Sequence, residues 1–175
     1  MFTILIVSGF AALMIRGAIS DIQHYILSNR LCLMVAGLYP LYLIGLEWEY
    51  GGVEGAQILW SIVLAAVLFG IGAGLFAMNV MGGGDVKLIP AVALWAGPSL
   101  ILDFLVIMSV TGGIIAAVLL AKKHLNRSKF FKSSENVNVP VAQLEQVNMP
   151  YGVGIALGGL YVAAQLIAKL NGAFL

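Results

Sequence analysis

The sequence is poor in charge. Of 175 residues, 10% are Asp, Glu, Lys or Arg, while 61% are hydrophobic. A soluble domain of this size carries about 25% charged residues. The chain therefore lacks the polar surface that would cover a water-soluble globule, and its mean hydropathy of +1.02 agrees. Cysteine is nearly absent. Cys32 alone excludes an intrachain disulfide framework and a cysteine-based metal site. It lies in an apolar run and reads as a small buried hydrophobe. No Lys or Arg precedes the first apolar run, which starts at Phe2; the first cation, Arg16, follows it. A cleavable secretory signal has the opposite order, so this segment is expected to be an uncleaved first membrane helix. The formal net charge of +1 points to no partner. No metal, cofactor or nucleic acid is expected.

What is present is a series of long apolar runs. A spanning helix needs about 20 mostly apolar residues. Runs of that kind cover 2–19, 29–46, 56–80 and 151–170. Ser28 and Asn29 are natural N-caps for the second. The stretch 88–121 is too long for one span and short for two. Gly97, Pro98 and Ser99 offer a break, leaving a short helix over 86–96 and a fuller one over 100–121. Eleven residues rise only about 16 Å, so the short helix must be shielded by neighbours or face water. The expected fold is all-α: one membrane domain, residues 1–175, forming a polytopic bundle of about six transmembrane helices. A basic, then polar loop is expected over about 122–149. Glycines at Gly70/Gly74 and Gly154/Gly158 have spacings that suit close helix packing, within the chain or in a homodimer.

Charge placement tests the count. With six spans, Arg16, Arg30, Lys87, Lys122, Lys123, Arg127, Lys129 and Lys132 share one side, which is eight of the nine Lys and Arg residues; Lys169 is on the other. Positive charge marks the cytoplasmic side. The segments 20–28, 81–87 and 122–149 are then expected to face the cytoplasm and both termini to face outward, in a multi-pass protein of the cell's inner membrane.

An ionisable group at membrane depth is a functional candidate by default. Asp21 and Asp85 both fall at the cytoplasmic edge in this topology; Asp103 falls in the outer half and reads as structural. Asp85 follows Gly82-Gly83-Gly84 and opens the short helix. Three glycines let the backbone pass close to another segment and adopt positive φ. Asp85 would sit at a helix N-terminus, which favours negative charge, and Asp21 near a helix C-terminus, which disfavours it. If the two meet, repulsion between like charges leaves one protonated and one ionised. Such a pair activates water without a metal or a covalent intermediate. Helix capping is the plainer role for either residue alone. In a different class, the same two acids would bind protons or cations in a small transporter subunit built on a broken helix. Lys87 lies two residues after Asp85 and would not project alongside it on a helix. It suits either a substrate contact or an interfacial anchor. His24 reads as solvated, Arg16 and Arg30 as topology signals, and Trp48, Trp60 and Trp95 as interface anchors or packing.

At these residues the sequence resembles the type IV prepilin peptidases, membrane aspartic proteases of the GxGD class. Gly82-x-Gly84-Asp85, followed by Val86 and Lys87, matches the motif that names the class. Asp21 through Ser28-Asn29 resembles the first-aspartate motif, with Ser28 where many members have Pro. Met149-Pro150-Tyr151-Gly152 resembles the Pro-Tyr-Gly entry to the last helix. The resemblance implies catalysis by Asp21 and Asp85, with Gly82, Gly84, Lys87, Asn29, Pro150 and Gly152 supporting the site or contacting substrate. It implies an endopeptidase that removes the short basic leader of a prepilin at the cytoplasmic face, after a glycine, while the pilin's apolar helix stays in the bilayer. The short length is similar to the compact form of tight-adherence (Flp) pilus systems. Larger members add a region with paired cysteines and N-methylate the new terminus; with Cys32 alone, methylation is not expected.

Overall fold

A computed structural model describes residues 1–24, 27–131 and 151–172, with the backbone alone over 122–131. Five helices follow in order: α1 (Phe2–His24), α2 (Asn29–Tyr50), α3 (Gly55–Ala77), α4 (Gly83–Phe131) and α5 (Tyr151–Gly172). There is no strand among the described residues. All five are long and apolar enough to cross a membrane. The protein is an all-α, multi-pass membrane bundle.

The break expected near residue 97 is present, at a single residue. Gly97 has φ 55° and ψ −172° and divides α4 into an arm over 83–96 and an arm over 98–131. The positive φ suits glycine, and Pro98 opens the second arm, where its missing N–H costs nothing. The arms double back on one another. Val86 lies against Gly72 and Gly97 against Ser61, so the first arm follows α3. Phe104 meets Gly158 and Met108 meets Gly154, so the second arm follows α5. The first arm rises about 21 Å, short of the hydrocarbon thickness of about 30 Å. It is shielded accordingly: Leu88, Val92 and Ala93 have no exposed surface, and Val86, Ile89, Ala91, Trp95 and Ala96 are buried.

Packing centres on that arm. Trp95 stacks on Phe10 of α1, with ring centroids 4.4 Å apart, and its indole N–H donates to the Val35 carbonyl at 3.0 Å. Trp95 is therefore packing, while Trp48 and Trp60 are exposed on the outside of the bundle. Lipid tails are as apolar as leucine, so close approach at small residues holds such helices together. Gly154 and Gly158 supply it within the chain: a Cβ on Gly158 would lie 2.7 Å from the Phe104 ring, and one on Gly154 2.9 Å from the Met108 carbonyl. Gly70 and Gly74 face open space, and Gly72 between them makes the contact instead.

Two helix ends move. α1 continues to His24, so Asp21 sits inside its last turn. The second arm of α4 continues to Phe131, past the start expected for the polar loop. The rest of that loop, with Pro150, lies outside the described residues. Ser28 alone caps α2, its Oγ accepting the Leu31 N–H at 3.3 Å. Asn29 is the first helical residue, and its side chain is free to reach another helix.

Candidate active site

The ends of α1 and α3 and the starts of α2, α4 and α5 meet at one end of the bundle. Asp21 and Asp85, 64 residues apart in sequence, are both there and both buried, with 5% and 8% of their surface exposed. Their carboxylates lie close enough that the charge on one acts on the other. Each is placed by a local feature. Asp85 is in the first turn of α4, where backbone N–H groups are unpaired and the dipole favours an anion. Val86 N–H bonds to the Gly82 carbonyl at 3.2 Å, closing that turn around the carboxylate.

Asp21 is held differently from the sequence expectation. It lies in the last turn of α1, but its carboxylate also faces the backbone N–H groups of Gly152 and Val153, at the start of α5. The positive end of α5 therefore offsets the negative end of α1. The asymmetry expected from one helix end apiece is replaced by two acids that each face a helix N-terminus. Asp21 Oδ2 has no donor among the described residues.

The glycines act through closeness. None of Gly82, Gly83 and Gly84 has a positive φ; the left-handed residue in this turn is Asn79, at φ 57°. A Cβ on Gly84 would lie 2.7 Å from Leu27 Cβ, one on Gly82 would lie 3.2 Å from Asp85 Oδ2, and one on Gly83 would lie 3.3 Å from the Phe76 ring. The triple glycine thus brings Asp85 down onto the segment that follows Asp21. Gly152 does the same from α5: its Cβ would lie 2.8 Å from both Cγ and Oδ2 of Asp21.

Lys87 turns away from Asp85, and its Nζ donates to Asn29 Oδ1 at 2.8 Å, tying α4 to α2. His24 is exposed at the end of α1. Asp103 is exposed, 3.5 Å from the Tyr161 hydroxyl, on the second arm of α4 away from the pair. Cys32 is buried, with Sγ 3.9 Å from the Gly84 carbonyl. No group of three metal-binding side chains occurs among the described residues.

Among the described residues, Asp85 is the one carboxylate lining a groove of about 280 Å³ that opens to the outside of the bundle. Leu75, Met81, Ile89, Met108 and Tyr151 line its apolar walls. Met108 and Ser109 were not legible as site residues, because no motif marks the turn of the second arm that folds back to this level. Tyr151 belonged to the Pro-Tyr-Gly motif, yet only the fold shows it lining the same groove as Asp85.

The model of the type IV leader peptidase family matches residues 8–117 of this chain. The match covers both aspartates, Asn29, the glycine turn and Lys87. No curated protein and no solved structure matches the chain.

Proposed function

Since the chain belongs to the type IV leader peptidase family, we propose that it is an aspartic endopeptidase in which Asp21 and Asp85 form the catalytic pair. Family membership makes it a prepilin leader peptidase in general. The finer reading is that it cuts after a glycine, removing the short basic leader of a Flp-type prepilin at the cytoplasmic face of the inner membrane. One observation carries the assignment to the pair: two acids from distant parts of the chain are buried together at one end of an apolar bundle. Burying two like charges is costly, and a shared proton removes much of that cost.

The chemistry follows from a shared proton. The ionised carboxylate takes a proton from a water molecule, and the water oxygen attacks the scissile carbonyl carbon. The protonated carboxyl donates a hydrogen bond to the carbonyl oxygen as it becomes negative. Collapse of the tetrahedral intermediate breaks the C–N bond, and the departing nitrogen takes a proton from the pair. The products are a leader ending in a carboxylate and a pilin with a free amine. The apolar groove beside Asp85 suits the start of a pilin's hydrophobic segment. The basic residues Arg16, Arg30 and Lys87 lie at the same end as the pair, which supports placing that end in the cytoplasm.

Purified enzyme in liposomes with a prepilin substrate tests the reading. Asp21→Asn and Asp85→Asn should each abolish leader release while the protein stays folded and inserted. Cleavage by the double Asn variant at the wild-type rate would refute it.

A further inference from the structure

The backbones of α2 and α3 do not approach each other along their length. Near the Gly97 end, Tyr39 and Tyr42 fill the gap with Trp95. Toward the aspartate end no described residue fills it. A groove of about 460 Å³ remains, floored by the first arm of α4 and distinct from the one beside Asp85. Its walls are apolar: Leu33 and Ala36 from α2, Ala65 and Phe69 from α3, and Ala91 and Leu94 from α4.

The polar groups sit at one end. Asn29 and Lys87 are its members nearest the aspartate end. The residues Lys87, Ala91 and Leu94 follow one helix face, so the apolar floor runs about 10 Å inward along the helix from the Lys87 backbone. Lys87 is exposed, spends one donor on Asn29, and has no carboxylate in ion-pair reach among the described residues. A groove that is greasy along its length and cationic at its mouth, on the outer surface of a membrane bundle, is complementary to a lipid with an acyl chain and an anionic headgroup. Basic pockets between membrane helices bind such headgroups.

We infer that this groove is a binding site for an anionic phospholipid, whose acyl chain lies over Ala91 and Leu94 and whose phosphate is held by Lys87 beside Asn29. A bound lipid braces the start of α4, two residues from Asp85, between α2 and α3. The site does not depend on the peptidase assignment.

Thermal unfolding of the full-length protein in detergent tests it, with dioleoyl phosphatidylglycerol, dioleoyl phosphatidylcholine or soluble glycerol phosphate added. Phosphatidylglycerol should raise the midpoint saturably, and the other two should do so far less. Lys87→Gln retains a donor for Asn29 and should weaken the phosphatidylglycerol response about fivefold. Arg30→Gln removes an equal charge at the same end, outside the groove, and should change the response less than twofold. Equal responses to the two lipids, equal losses in the two variants, or a glycerol phosphate effect as large as that of the lipid would each overturn the site. A photoreactive phosphatidylglycerol in vesicles gives an independent reading on the wild-type chain. Cross-links should concentrate in 29–36, 65–69 and 87–94; cross-links spread evenly over α1 and α5 would overturn it.

Discussion

Gly152→Ala is the sharpest test of how the pair is held. The added Cβ would lie 2.8 Å from Cγ and Oδ2 of Asp21. That is about 0.6 Å inside the 3.4 Å at which ordinary contact begins. Two responses are open: the carboxylate swings away, or the start of α5 retreats. Either removes the Gly152 and Val153 N–H groups from Asp21 and displaces it relative to Asp85. A misplacement approaching 1 Å at reacting groups costs about a hundredfold in rate, equivalent to about 2.7 kcal/mol of barrier. The fold should survive, because alanine is the better helix former and only the side chain of Asp21 is struck. The assay is the initial rate of leader release in liposomes, with thermal unfolding measured on the same preparations. Cleavage should fall about a hundredfold with the unfolding midpoint little changed. Gly70→Ala meets nothing within 4 Å and should cleave at the wild-type rate. A Gly152→Ala enzyme within twofold of wild type would refute the claim that α5 positions Asp21.

Three further outcomes follow from the same geometry. Gly84→Ala places a methyl 2.7 Å from Leu27 Cβ and should lower both cleavage and the unfolding midpoint, since it lifts α4 from the turn after α1; overpacking of this kind costs about 1–3 kcal/mol. Trp95→Ala removes the stack on Phe10 and the bond to the Val35 carbonyl; it should destabilise the bundle by about 3 kcal/mol, seen as a large fall in midpoint in detergent. Ser109→Trp projects from an exposed position into the groove beside Asp85; it should raise KM for prepilin several-fold with the midpoint unchanged, and an unaltered KM would remove that groove from the substrate path.

Much of this was written in the chain itself. Low charge and long apolar runs dictate a membrane bundle, because backbone polar groups in lipid must be satisfied within helices. Gly97 beside Pro98 marked the break in α4, since a left-handed residue followed by a proline is a local signal. The glycine turn before Asp85 and the Asp21 segment were visible as motifs, and charge asymmetry put them at the same end. Of the two properties the sequence suggests for these glycines, close approach and positive φ, the turn uses the first alone, for proximity to Leu27, Phe76 and Asp85 itself.

Composition and local pattern specify which segments can cross a membrane, where the long helix breaks, and that two acids share an end. Tertiary structure alone decided their surroundings. A helix that ends at His24 says that Asp21 sits at a negative dipole end; only the packing of α5 brings Gly152 and Val153 N–H groups against it. The reason is physical: dipoles and close contacts depend on distances between segments, and no local pattern in α1 encodes where α5 begins. The same holds for Lys87, which reads as a neighbour of Asp85 in the chain but is turned by the helix toward Asn29, onto a different groove of the same bundle.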